Sequence, residues 1–192
     1  MANLFGKNKV LTAVFISGRG TNLKKLIQFS KTKNSPIKIS LIVSNNFKAE
    51  GLKYSLKYKI KKYVLAINDT KFEDKVLKNL KINKIKFICL AGFMKILSKK
   101  FIKNFNGKII NIHPSLLPKY KGLNTHEKVI KNKEKYTGCT VHFVSPKLDS
   151  GKIIMQKKIK IKKRDTPEKL AKRVLIEEHK LYPKAILKIF NL

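Results

Sequence analysis

Tryptophan is absent from this sequence of 192 residues, cysteine occurs twice, arginine three times, and eleven acidic residues face 45 basic ones. Each scarcity excludes something. Nothing in the spacing of Cys89 and Cys139 suggests a metal site or a disulfide framework, so both read as reduced, buried thiols. No window approaches the ~20 uncharged apolar residues of a membrane span. The stretch from Met1 to Val10 lacks the apolar core of an export signal, so the chain is expected to be cytoplasmic. The shortage of carboxylates leaves a formal net charge of +34, which invites a nucleic-acid reading. Against it stand the spread of lysine over every kind of segment and the small set of arginines, Arg19, Arg164 and Arg173. Solvated lysine is the expectation, with no specific nucleic-acid partner, although the charge would still draw anionic substrates.

With 43% hydrophobic residues the chain has enough apolar material for a core, and its length suits one domain spanning 1–192. Leu11 to Ser17 is a β-branched apolar run, the pattern of a strand buried on both faces. Glycines break it between Gly18 and Asn22, and helical spacing follows from Asn22 to Lys31. The alternation repeats: strands are predicted at Ile37–Val43, Tyr63–Ile67 and Ile85–Ala91, and helices at Ala49–Tyr58 and Lys71–Leu80. Such alternation implies right-handed crossovers and a parallel sheet covered on both sides. After Lys108 the texture changes. A strand at Ile109–Ile112 runs into His113-Pro114 and a long loop, a short helix is predicted around Glu127–Asn132, and two strands, Thr137–Val144 and Lys152–Ile161, join through Asp149-Ser150-Gly151. Thr166-Pro167-Glu168 opens a long amphipathic helix that presents Leu170, Val174, Glu178, Leu181, Ala185 and Ile189. The fold class expected is α/β: a single open, mostly parallel twisted sheet with helices on both faces and an antiparallel C-terminal portion.

In open α/β sheets ligands sit beyond the carboxyl ends of the strands, so Ser17–Asn22, Ala91–Met94 and Asn111–Ser115 are expected to share one cleft. The first is either a tight connection or a phosphate seat, where glycines let the backbone approach and the helix N-terminus favours an anion. Leu23 stands where the dinucleotide fingerprint needs its third glycine, and no Gly-Lys-Ser/Thr follows, which disfavours a redox cofactor and nucleotide hydrolysis. Asn111-Ile112-His113-Pro114 is more specific. In an extended segment Asn111 and His113 point the same way while Ile112 turns into the core. An amide beside an imidazole suits an acyl carbon that gathers negative charge. Asp149 either closes its turn or, if folded against His113, holds the imidazole cationic. His142 within a strand, His126 at a helix start and His179 on the last helix show no metal-ligand spacing, so no metal is expected.

Ser17 to Leu23, Ala91 to Leu97, Asn111 to Pro118, Lys119 to His126, Thr140 to Val144 and Leu148 to Gly151 together resemble the phosphoribosylglycinamide formyltransferases, within the folate-dependent formyltransferase superfamily. The resemblance runs from Leu11 to Pro183 and implies a Rossmann-like fold, with a nucleotide-binding half at about 11–91 and a folate and catalytic half at about 92–192. It implies that Asn111, His113 and Asp149 are catalytic. Gly18, Arg19, Gly20, Thr21 and Asn22 would bind the acceptor phosphate, and Leu123, Asn124, Thr125, His126 and Glu178 the rest of the acceptor. Met94, Lys95, Ile96 and Leu97, with Asn111, would line the folate pocket. Lys95 stands where the family has arginine, and a further folate-contacting arginine near Thr70–Leu80 has no counterpart. The implied reaction is direct formyl transfer from 10-formyltetrahydrofolate, as co-substrate, to the glycinamide amine in purine biosynthesis, through a tetrahedral intermediate. Monomer and homodimer both stay open.

Three other readings compete. A formyltetrahydrofolate hydrolase would use water as acceptor and is expected to carry an N-terminal regulatory domain, whereas the first strand here begins near residue 11. An initiator methionyl-tRNA formyltransferase would need a C-terminal barrel beyond Leu192. A nucleic-acid-binding protein without formyl transfer leaves the motif set unexplained.

Overall fold

The computed structural model describes residues 9–66 and 68–192; the reading of Met1 to Val10 as lacking an export signal falls mostly outside them. Seven strands form one sheet: β1 (Val10–Ile16), β2 (Ile37–Ser44), β3 (Lys61–Val64), β4 (Phe87–Leu90), β5 (Lys108–His113), β6 (Tyr136–Phe143) and β7 (Ile153–Lys160). Their order is β3-β2-β1-β4-β5-β6-β7. The first five are parallel, and β6 and β7 run antiparallel.

Among the described residues the α-helices are α1 (Thr21–Ser30), α2 (Lys53–Tyr58), α3 (Phe72–Ile82), α4 (Lys99–Asn104), α5 (Thr125–Lys131) and α6 (Pro167–Ile189). The two-residue period of β1 divides its side chains between two cores. Val14 and Ile16 meet Leu23, Leu26 and Ile27 of α1 and Leu170 and Val174 of α6, while Ala13 and Phe15 meet Phe72, Val76 and Leu80 of α3 and Phe101 of α4. Burial on both faces is why β1 and β4 read as unbroken apolar runs. Cys89 and Cys139 are both fully buried in the first of these cores; desolvation raises both thiols, that of Cys139 to about 12. Among the described residues no helix is long and apolar enough to cross a membrane.

The structure departs from the sequence reading in three places. The helix expected at Ala49–Tyr58 is divided into a 3-10 turn at Glu50–Leu52 followed by α2. That turn seats Gly51 against Gly20, where a side chain on Gly20 would come within 2.7 Å of the Gly51 Cα. β3 begins earlier and ends at Val64, and Ile67, expected within it, lies outside the described residues. Helix α4 was not anticipated, because six residues are too few to establish a period; Ser98 caps it, accepting from the Phe101 amide at 3.0 Å. The start of α6 is as expected, with Thr166 accepting from the Lys169 amide and Pro167 in the first turn.

Candidate active site

Three chain segments leaving the sheet are fastened through Ser17. Its Oγ donates to Asn45 Oδ1 at 2.6 Å and accepts from the Met94 amide at 2.8 Å, while its own amide donates to the Gly92 carbonyl at 3.1 Å. The exits of β1, β2 and β4 thus share one anchor. Beyond Ser17, Gly20 adopts φ +70° and caps α1, a conformation open to glycine at little cost. Lacking a capping side chain, it leaves the first-turn amides of α1 available to an anion.

On β5, Asn111 and His113 project together while Ile112 packs into the core. The antiparallel pairing with β6 sets Asn111 opposite His142. Asp149 comes from the loop between β6 and β7, at φ +44°, with its Oδ2 accepting from the Gly122 amide at 2.9 Å. That same oxygen lies 3.3 Å from His113 Nδ1, and its Oδ1 lies 3.7 Å from His142 Nε2. The Asp149 and His113 side chains are only 8% and 6% exposed, so carboxylate and imidazole interact with little water between them.

Hydrogen positions follow from the partners. His113 Nε2 faces the Tyr120 carbonyl at 2.8 Å and therefore donates to it, while its Nδ1 faces the Asp149 carboxylate. His142 Nδ1 faces the Phe143 carbonyl at 2.8 Å and likewise donates. Burial pushes the His142 pKa below the ordinary 6.5, outweighing the pull of that carbonyl and of Asp149. A neutral His142 offers its Nε2 lone pair to the Asn111 amide nitrogen at 3.2 Å. The Asn111 amide is thereby oriented, with its second N–H left for a ligand.

Also lining the cleft, Asn22 Nδ2 donates to Glu178 Oε2 at 2.6 Å. Burial raises the Glu178 pKa, and the hydrogen bond from Asn22 offsets this only in part. Asn22 Oδ1 and His126 Nδ1 are buried without a protein partner, an arrangement that suits a polar ligand. Burial lowers the His126 pKa, and His113 adds to the effect.

One cavity of about 750 Å³ gathers these groups. Gly18, Arg19, Gly20, Thr21, Asn22, Met94, Lys95, Ile96, Leu97, Asn111, His113, Leu123, Asn124, Thr125, His126, Asp149 and Glu178 all line it. Met94, Ile96 and Leu123 stand exposed at its rim, and Leu97 is buried in its wall. The Lys95 ammonium lies over the Phe72 ring, 5.4 Å from its centroid. Of the segments expected to converge, Ser115 alone among the residues after β5 is buried elsewhere, donating to the Lys119 carbonyl. Sequence reasoning left His142 without a role, since only strand register brings it to Asn111. Among the described residues no group of three or more His, Cys, Asp or Glu could hold a metal ion.

Known proteins resemble this chain along most of its length. Residues 10–186 match the formyl transferase family. A phosphoribosylglycinamide formyltransferase of Haemophilus influenzae is 40% identical over 178 residues, covering 91% of this chain and 84% of that protein. The human trifunctional purine biosynthetic protein adenosine-3 is 40% identical over 186 residues, but the chain spans only 18% of its length. The crystal structure of phosphoribosylglycinamide formyltransferase from Anaplasma phagocytophilum superposes with a TM-score of 0.88 at 42% identity, over 93% of this chain and 85% of that one. With its motifs gathered in one cleft and its relatives matching along nearly the whole length, this chain belongs to the formyl transferase family, in the group of the phosphoribosylglycinamide formyltransferases.

Proposed function

We propose that the cleft transfers a formyl group from 10-formyltetrahydrofolate to the amine of phosphoribosylglycinamide, within purine biosynthesis. The observation that carries the reading is the meeting of Asn111, His113 and Asp149 in the cavity that also contains the glycine turn before α1. The residues present fit both substrates. Phe93, Met94, Ile96 and Leu97 offer an apolar wall for a flat pterin ring. In the same cavity, Gly18 to Asn22 offer backbone amides for a phosphate, and Glu178 with Asn22 offers polar partners for a sugar or an amine.

Asn111 directs an N–H toward the formyl oxygen and stabilises the negative charge that gathers there as the amine attacks. His113, held as a cation between Asp149 and the Tyr120 carbonyl, adds a positive charge at the same place. Its contact to Asp149 is the longer of the two, at 3.3 Å, so Nδ1 is the nitrogen with room to share its proton with a ligand oxygen. Asp149 keeps the cation in place, and the tetrahedral carbon collapses as its bond to the folate nitrogen breaks and that nitrogen takes up the proton lost by the attacking amine. No side chain forms a covalent bond to the formyl carbon.

Incubating the purified protein with 10-formyltetrahydrofolate, with and without phosphoribosylglycinamide, tests the reading. Tetrahydrofolate should form only when both are present. Equal turnover without the acceptor would identify a hydrolase, and no turnover in either case would overturn the proposal.

A further inference from the structure

Tyr120 lies in the loop between β5 and α5 and adopts φ +55°, a left-handed conformation that a side chain other than glycine keeps only when its surroundings hold it there. The holding contacts are at the other end of the residue. Its hydroxyl donates to Glu134 Oε1 at 2.8 Å and accepts from Asn132 Nδ2 at 3.0 Å. Both partners follow α5, a separate segment of chain. Glu134 also receives the Lys119 ammonium at 3.0 Å, and these two donors, Lys119 foremost, hold its carboxyl below the ordinary carboxylate range. It is therefore an acceptor at neutral pH.

The backbone end of Tyr120 reaches the reaction centre, because its carbonyl is the group to which His113 Nε2 donates. If Tyr120 relaxed to a right-handed conformation, the peptide plane that bears this carbonyl would turn away. His113 would lose one of its two acceptors and be free to reorient against Asp149. The neighbouring loop is independently fixed, with Thr140 Oγ1 donating to the Ser115 carbonyl at 2.6 Å and Gln156 Nε2 donating to the Leu117 carbonyl at 2.8 Å. What the phenol adds is thus confined to the turn that carries the Tyr120 carbonyl.

We infer that Tyr120 and Glu134 are positioning residues for His113: the phenol-to-carboxylate hydrogen bond holds Tyr120 left-handed, and its carbonyl in turn fixes the imidazole. The inference rests on the reading of His113 as part of the formyl-transfer machinery. Glu134 is partly exposed and outside the cavity, so it touches neither substrate.

Tyr120→Phe, Glu134→Ala and Glu134→Gln in the full chain test it with two readouts. One is kcat and KM for formyl transfer; the other is the nuclear magnetic resonance signal of the His113 Nε2 proton in the free protein. Tyr120→Phe and Glu134→Ala should each lower kcat roughly three- to tenfold, the equivalent of one hydrogen bond, with both KM values nearly unchanged. They should also speed exchange of the His113 Nε2 proton with water. Glu134→Gln keeps an oxygen acceptor and should restore most of both. Wild-type kcat and an unaltered His113 signal in the first two variants would overturn the inference, as would a Glu134→Gln variant no better than Glu134→Ala. The resonance arm needs no turnover, so it decides the tether even if the protein transfers no formyl group.

Discussion

Asn111 and His142 are partners across the antiparallel ladder of β5 and β6, and the amide nitrogen of one stands 3.2 Å from the Nε2 of the other. The contact requires a lone pair on that nitrogen, so His142 works as an acceptor only while neutral. On the proposed mechanism Asn111 donates directly to the formyl oxygen, and removing it should cost about 10²–10³-fold in kcat. Replacing His142 by Ala only loosens the donor and should cost less, roughly tenfold.

The same histidine gives a pH dependence with a defined sign. Its pKa is lowered on folding from the ordinary 6.5, so its contribution to stability is present above that value and is lost as pH falls through the folded one. Thermal melting between pH 5 and pH 7.5 should show wild type losing stability on acidification more steeply than His142→Asn. Parallel curves would refute the neutral assignment.

Asp149→Asn separates charge from shape. Asparagine keeps an oxygen for the Gly122 amide, so the loop should hold its place and the melting temperature should change little. On the proposed mechanism the His113 cation loses its counter-charge, and kcat should fall about 10²-fold or more. Steady-state kinetics alongside a melting curve would check both halves.

Gly20 and Gly92 both have φ near +70°, yet their surroundings differ. A Cβ on Gly20 would meet the Gly51 Cα at 2.7 Å, whereas one on Gly92 would meet nothing within 4 Å. Gly92→Ala should cost about 1–2 kcal/mol, the conformational penalty alone. Gly20→Ala should cost about 1–3 kcal/mol more from the clash, and should also weaken binding of the acceptor phosphate. Chemical denaturation of the two variants would show whether the difference is there.

Glu178 is buried with its pKa raised. Relative to the unfolded chain, its contribution is fully present below the ordinary 4.5 and is lost as pH rises through the folded value. Glu178→Gln should therefore melt higher than wild type at pH 7–8, with the gap closing toward pH 4, while KM for the acceptor rises. A gap that persists at pH 4 would point to packing instead.

The strand and helix alternation was legible because β1 and β4 are apolar on both faces, and a run of that kind has few other uses. The start of α6 was legible because Thr166 and Pro167 act through local chemistry. Helix α4 escaped because six residues make fewer than two turns. The division at Gly51 escaped because its cause is Gly20, which is distant in sequence and adjacent in space.

Sequence by itself determined which segments form strands and helices, where glycine breaks the chain, and which polar residues leave strand ends, since all of these depend on neighbours a few positions apart. Tertiary structure alone decided that Asp149 reaches His113, that strand register sets His142 behind Asn111, and that the Tyr120 carbonyl faces the imidazole. Those contacts join residues from 7 to 36 positions apart, and they follow from how strands pair and loops return, which no local pattern encodes.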